Sequence, residues 1–263
     1  MMANLAAVGL KCEYGGAHTN HATEMALTSF PDGSYLELIA IQANADPNAV
    51  AAHVWAKRME NNAGPCAWAV RSADIAPAEL ARLKAAGIEV SEVTSGGRAR
   101  PDGERLEWKT ARIGPEPNGT FFPFLISDIT PRRERAFPSG NPTTKDFSGI
   151  SRVVIAVHDL NASTDRFRRA YGLPPPLKRV DREFGAHLAM FGSTPVVLAA
   201  PLTPESWLVS RLDQFGEGPC AFILHARKPG RYNVATKTRW IGIDISWFDI
   251  NKLGWRLGFE SLP

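Results

Sequence analysis

One heptapeptide occurs twice in this chain. Gly64-Pro65-Cys66-Ala67-Trp68-Ala69-Val70 returns as Gly218-Pro219-Cys220-Ala221-Phe222-Ile223-Leu224. Each copy is an apolar run behind a Gly-Pro turn signal, which reads as a buried strand. Each follows a helix-like stretch, residues 47–62 and 203–215, with Thr203 a candidate N-cap and Pro204 the first helical residue of the second. Strand-like runs at 34–40 and 195–200 precede these helices. Strand, helix and GPCA strand therefore occur twice in the same order, the signature of a duplication. The halves fall at 1–130 and 148–263. Between them 131–147, rich in Pro, Gly, Ser, Thr and charge, reads as a linker.

Within the halves the elements are short. Residues 74–87 read as a helix, with Pro77 early and Gly87 at its end. Strand-like runs follow at 88–93, 105–113 and 120–127. Gly96-Gly97, Asp102-Gly103 and Asn118-Gly119 punctuate them, and each predicts a tight turn. In the second half a strand at 152–157 precedes a helix at 161–171 that stops at Gly172, and strands follow near 177–180, 186–191 and 195–199. One helix followed by three strands is β-α-β-β-β. That order predicts an α+β fold and not a doubly wound sheet.

Composition narrows the partners. The 263 residues suit two ordinary domains, and a hydrophobic fraction of 44% supplies a real core. A net charge of +3 with no long basic run makes no case for nucleic acid. Arg132, Arg133 and Arg135, split by Glu134, read as a solvated linker segment. No stretch approaches the ~18 apolar residues of a membrane helix. The first ten residues lack a basic n-region and a cleavage pattern, so no secretory leader is expected. The cysteines Cys12, Cys66 and Cys220 are odd in number and far apart, which predicts a reducing, cytoplasmic setting without disulfides.

Several stretches resemble the vicinal oxygen chelate superfamily. Residues 150–160, Ile-Ser-Arg-Val-Val-Ile-Ala-Val-His-Asp-Leu, with Ala170-Tyr171-Gly172-Leu173 downstream, look like the opening strand and helix of one of its modules. Gly15-Gly16-Ala17-His18, then Thr23-Glu24-Met25-Ala26-Leu27, then 35–40 are similar to its glyoxalase-like domain, and 122–128 resembles the closing strand of that domain. The resemblance implies tandem βαβββ modules curved into two half-open barrels around small-molecule clefts. The first module is expected to lack its first strand, because the chain begins at what looks like that module's helix; either the strand is lost or the true start lies upstream of Met1. The superfamily holds lyases, isomerases, dioxygenases and non-catalytic binding proteins. Its catalytic members carry a divalent metal on His, Gln or Glu from the first and last strands of paired modules, which acts as a Lewis acid on the substrate's oxygens.

Those positions are mostly altered here. Glu37 stands at the last-strand carboxylate position of the first module and is the one candidate metal ligand. On its strand it shares a face with Tyr35 and Ile39, while Leu36 and Leu38 take the other. Second-module positions fall near Cys66 and at Ser127; in the third, Arg152 and Val197 replace the ligands. Arg152 is a candidate partner for a ligand carboxylate. Glu260, at the very end, reads as a frayed terminal residue. His18 and His21, expected in a loop before a strand, are candidate ligand contacts, and Trp108 is a candidate pocket aromatic. Cys66 and Cys220 read as small buried hydrophobes. No phosphate loop, nucleophile elbow or HExxH is present. Two function classes stay open: a small-molecule-binding protein with a degenerate metal site, or a metal-dependent lyase, isomerase or dioxygenase with its divalent metal in the N-terminal half. A second copy of the chain is a candidate partner.

Overall fold

The computed structural model describes residues 2–115 and 117–261, so Met1 at the chain start lies outside the described residues. After α1 (Met2–Ala7) come three strands, β1 (Glu13–His18), β2 (Thr23–Ser29) and β3 (Tyr35–Ile41). Two short helices, α2 (Pro47–Ala51) and α3 (Ala56–Glu60), lead to β4 (Ala69–Arg71), α4 (Pro77–Ala85), β5 (Thr94–Ala99), β6 (Arg105–Ala111) and β7 (Phe124–Asp128). These strands form a seven-stranded sheet in the order β3-β2-β1-β5-β6-β7-β4. The short α5 (Arg132–Ala136) then precedes the second half: β8 (Phe147–Ala156), α6 (Leu160–Tyr171), β9 (Leu177–Asp181), β10 (Ala186–Met190), β11 (Val196–Pro201), α7 (Trp207–Phe215), β12 (Gly218–Ala226), β13 (Thr236–Trp240), β14 (Ile243–Trp247), α8 (Ile250–Leu253) and β15 (Arg256–Ser261). Its eight strands run β13-β14-β15-β12-β8-β11-β10-β9.

The pairing displays the modules. β8 lies parallel to β11, β12 to β15 and β4 to β7, so the first and last strands of three units are parallel neighbours. Parallel neighbours require a crossover, and α6 supplies one. Asp159 caps its start by accepting from the Asn161 and Ala162 amides, and Gly172 ends it at φ 64°. The fourth strand set, β1 to β3, follows α1 and contributes three strands. In the eight-stranded sheet the two units join through β8 and β12, paired antiparallel. In the seven-stranded sheet they join through β1 and β5. β9 and β13, the second strands of their units like β1 and β5, only touch in the eight-stranded sheet. The two sheets are thus one ring cut at different places.

Two apolar layers bind the sheets back to back. Phe121, Phe122 and Leu83 meet Val153, Phe167 and Leu198 in one; Leu5, Phe30 and Leu36 meet Phe147, Leu257 and Phe259 in the other. Burying each such side chain contributes about 1.5–3 kcal/mol. The inside of the eight-stranded sheet is filled as well. Phe184 lies 5.1 Å from Trp240 and 5.2 Å from Trp247 between ring centres, and Leu208 and Leu212 of α7 complete the packing. Among the described residues no helix is long and apolar enough to cross a membrane.

Several local expectations change. Residues 47–62 form two short helices and not one. Only Ala69–Arg71 of the first GPCA copy pairs as a strand, whereas the second copy is the full β12. Residues 88–93 make a single bridge, Val90 to Ile113. The helix expected from Thr203 begins at Trp207 with Ser206 as its cap, because the Ser206 hydroxyl accepts from the Leu208 amide. Gly96-Gly97 is no turn but lies inside β5.

Candidate functional site

Strand alternation builds the wall of this site. On β3, Leu36 and Leu38 enter the layer against the other sheet, which leaves Tyr35 and Glu37 on the opposite face. In a flat sheet β3 and β6 would stand roughly 19 Å apart, four strand spacings. Yet the Arg135 guanidinium carbon lies 5.7 Å from the Tyr35 ring centre and 5.3 Å from that of Trp108 on β6. One side chain reaches both strands, so the sheet curls and this face is its inside. Gly96 makes room: a Cβ there would sit 2.5 Å from Trp108 Nε1, so only glycine lets the indole lie against β5.

His18 ends β1, within the strand and not in the loop expected for it. Its Nε2 is 3.6 Å from Glu37 Oε1 and its Nδ1 is 2.9 Å from Thr23 Oγ1. The Thr23 hydroxyl accepts from Asn20 Nδ2 at 3.0 Å; its own proton finds His18 Nδ1 nearer than Asn20 Oδ1 at 3.4 Å. With the Thr23 hydroxyl donating to Nδ1, the neutral imidazole carries its proton on Nε2, which faces Glu37. Trp108 meets the imidazole edge-on at 6.4 Å.

Burial holds the His18 pKa below its ordinary value; Glu37 opposes this and Arg98 adds to it. His53 is lowered too, by burial and then by His18. With the folded pKa depressed, the unfolded chain binds more protons, so the stability from neutral His18 is complete above pH ~6.5 and is lost as pH falls. The melting temperature is expected to drop from pH 7 to pH 5, and to drop less in His18→Gln, with a difference below ~1.4 kcal/mol per pH unit. Equal pH slopes would contradict a buried neutral His18.

Arginines form the rest of the wall. Arg98 on β5 is fully buried; its Nη1 donates to the Gly15 carbonyl and its Nη2 to that of Arg135 at 2.7 Å. Arg135 donates from Nε to Asp128 and from Nη1 to the Tyr35 hydroxyl at 2.8 Å. Arg132 donates to the Gly33 carbonyl at 2.8 Å, and its guanidinium carbon lies 4.9 Å from the Tyr35 ring centre. The segment read as solvated therefore carries two arginines inward, and Arg135 keeps only 3% of its surface exposed. The correction has a physical reason: Asp128 and the Tyr35 hydroxyl and ring supply the partners that a buried guanidinium requires.

The structure thus brings His18, Glu37 and Trp108 together. His21 does not join them: it is exposed at the β1–β2 turn, at φ 57°. Arg152 lies on the other sheet, its Nε 3.0 Å from Glu260 Oε2, while His225 Nε2 is 2.9 Å from Glu260 Oε1. Glu260 is accordingly no frayed end but a buried, doubly partnered carboxylate. Tyr35, Arg98, Asp128, Arg132 and Arg135 are the wall residues that the sequence reading missed as site residues. A cleft of about 410 Å³ edged by Lys11, Lys145 and Lys252 lies elsewhere, beside α1, and holds none of the candidates.

The donor set decides whether a metal fits. His18 and Glu37 offer two donors. Among the described residues no three His, Cys, Asp or Glu side chains converge. A catalytic metal takes about three protein ligands, so the described residues do not fit one.

Comparison with known proteins adds the following. The glyoxalase-like domain family matches residues 1–152. A hypothetical protein from Staphylococcus aureus is similar in structure over 97% of this chain and 91% of its own, with a TM-score of 0.63 and 14% identity. That likeness shows the fold alone. Methylmalonyl-CoA epimerase from Mycobacterium tuberculosis aligns with 46% of this chain and 91% of its own, at 20% identity and a TM-score of 0.39. No curated protein matches.

Proposed function

Since this chain belongs to the glyoxalase-like domain family of the vicinal oxygen chelate superfamily, we propose that it captures a small organic molecule on the inner wall of the seven-stranded sheet, at His18, Glu37 and Trp108. One contrast carries the reading. The inside of the eight-stranded sheet is filled by Phe184, Trp240, Trp247 and α7, and its Arg152, Glu260 and His225 pair with one another, whereas on the inside of the seven-stranded sheet His18, Glu37 and Trp108 stand together beside the arginines. A wall with a few placed polar groups among aromatics is what ligand sites require. The proposed division keeps this wall in 1–130, with 131–147 lending Arg132 and Arg135, and 148–263 as the second half.

A thermal-shift panel of benzoate, benzamide, catechol and pyruvate tests the proposal. At least one compound is expected to raise the melting temperature, and Trp108→Ala to weaken that compound about tenfold, since an aromatic anchor is worth roughly 1–2 kcal/mol. Binding that Trp108→Ala leaves untouched, or no binding by any compound, would overturn it.

The other reading, a metal-dependent lyase, isomerase or dioxygenase, needs a third ligand beside His18 and Glu37 that the described residues do not supply. Elemental analysis separates the two: stoichiometric metal in the purified chain, lost in Glu37→Ala, would replace the binding-protein reading.

A further inference from the structure

Three guanidinium nitrogens of the inner wall are buried without a hydrogen-bond acceptor: Arg98 Nε, Arg135 Nη2 and Arg132 Nη1, the last 3.7 Å from Asp128 Oδ1. Arg98 is fully buried and Arg135 nearly so. Buried donors in folded proteins are almost always satisfied, and an unsatisfied one points to a missing water, ion or ligand. The three belong to one cluster. Arg98 donates to the backbone of Arg135, and Arg132 and Arg135 both lie over the Tyr35 ring.

Charge gives the sign of what is missing. Asp128 pairs with Arg135 and stands 3.7 Å from Arg132, and Glu37 is the carboxylate that acts on Arg98, so three guanidinium cations face two carboxylates. Arg98 has only carbonyl acceptors, and Glu37, partly exposed, faces His18. A buried cluster with excess positive charge calls for an anion. Guanidinium forks suit planar, two-oxygen anions best. The flanking rings of Tyr35 and Trp108 suit a flat organic body beside that anion.

We propose that this cluster is the carboxylate end of the ligand site: the bound molecule is a small organic carboxylate whose anion is met by Arg132 and Arg135, supported by Arg98, and whose body lies against Trp108. The assignment rests on the binding reading given above. Arg132 is a specificity residue at this end, since it is the least buried of the three arginines.

Calorimetric titration of the full chain with benzoate and with benzamide, its neutral counterpart, tests the assignment. Benzoate is expected to bind at least about tenfold more tightly than benzamide, the value of one or two charge-assisted hydrogen bonds. Arg135→Gln is expected to abolish the difference. Because Arg135 is buried, Arg132→Gln repeats the comparison at a more exposed position, with circular dichroism confirming the fold. Equal binding of both compounds, weakened by Trp108→Ala, overturns the carboxylate while leaving the binding wall intact. A benzoate preference unchanged in both arginine variants overturns the residue assignment. Inorganic phosphate binding in place of benzoate overturns the ligand class. Failure of every panel compound removes the binding reading and the carboxylate together.

Discussion

Gly16→Ala is expected to destabilise the chain by about 3 kcal/mol or more, the combined cost of backbone strain and overpacking. Gly16, at φ 114°, opens the second stretch of β1 pairing with β2, opposite Met25 and just after the irregularity at Gly15. Side chains rarely adopt that conformation, and glycine adopts it freely. A Cβ at this place would overlap the Ala99 carbonyl oxygen on β5. That obstacle is backbone and cannot turn aside. The position matters because β1 and β5 carry the only pairing between the two halves of the seven-stranded sheet among the described residues. Losing it separates Tyr35 and Glu37 from Trp108, so ligand binding falls with stability. A fall in melting temperature of roughly 6–12 °C is expected by calorimetry for a chain of this size. An unchanged melting temperature would mean that the β1–β5 junction is wrong.

Trp240→Ala is expected to cost about 3–5 kcal/mol, the usual range for removing a large aromatic from a tight core. Trp240 is fully buried, with Phe184 at 5.1 Å and Trp247 at 5.7 Å between ring centres. Its indole N–H has no partner, so Trp240→Phe, which keeps most of the apolar volume and removes that donor, is expected to cost far less. The pair of variants separates packing from hydrogen bonding. If Trp240→Ala costs under about 1 kcal/mol in denaturant melts, the eight-stranded sheet is not a filled core, because cavities of this kind are reliably expensive.

The duplication was legible because strands carry their pattern locally. The parallel pairing of first and last strands follows from the β-α-β-β-β order, and α6 was readable from Asp159 and Gly172 as start and stop. Glu37 was legible on the face opposite Leu36 and Leu38 because alternation on β3 is local, and the structure brings His18 and Trp108 near it. The arginines were not legible. Alternation names a face but not the curl, and it is the curl that brings β3 and β6 to one guanidinium. Arg98 follows two glycines that mimic a turn, of which Gly96 admits Trp108 and Gly97 lies close to the Leu106 carbonyl. Arg135 stands in a charged run of linker-like composition, and only its contacts to Asp128, a near neighbour in sequence, and to Tyr35, a remote one, reveal why it is buried. Glu260 misled for the same reason, since its partners Arg152 and His225 lie far away in the chain.

The central claim is that the two curled sheets have diverged, one into a closed core and one into a ligand wall. Hydrogen–deuterium exchange on the full chain, with and without a saturating amount of whichever panel compound binds best, tests it most directly. Slowed exchange is expected in β3, β6 and α5, with β13 and β14 unchanged. Protection confined to β13 and β14, or protection nowhere, would contradict it.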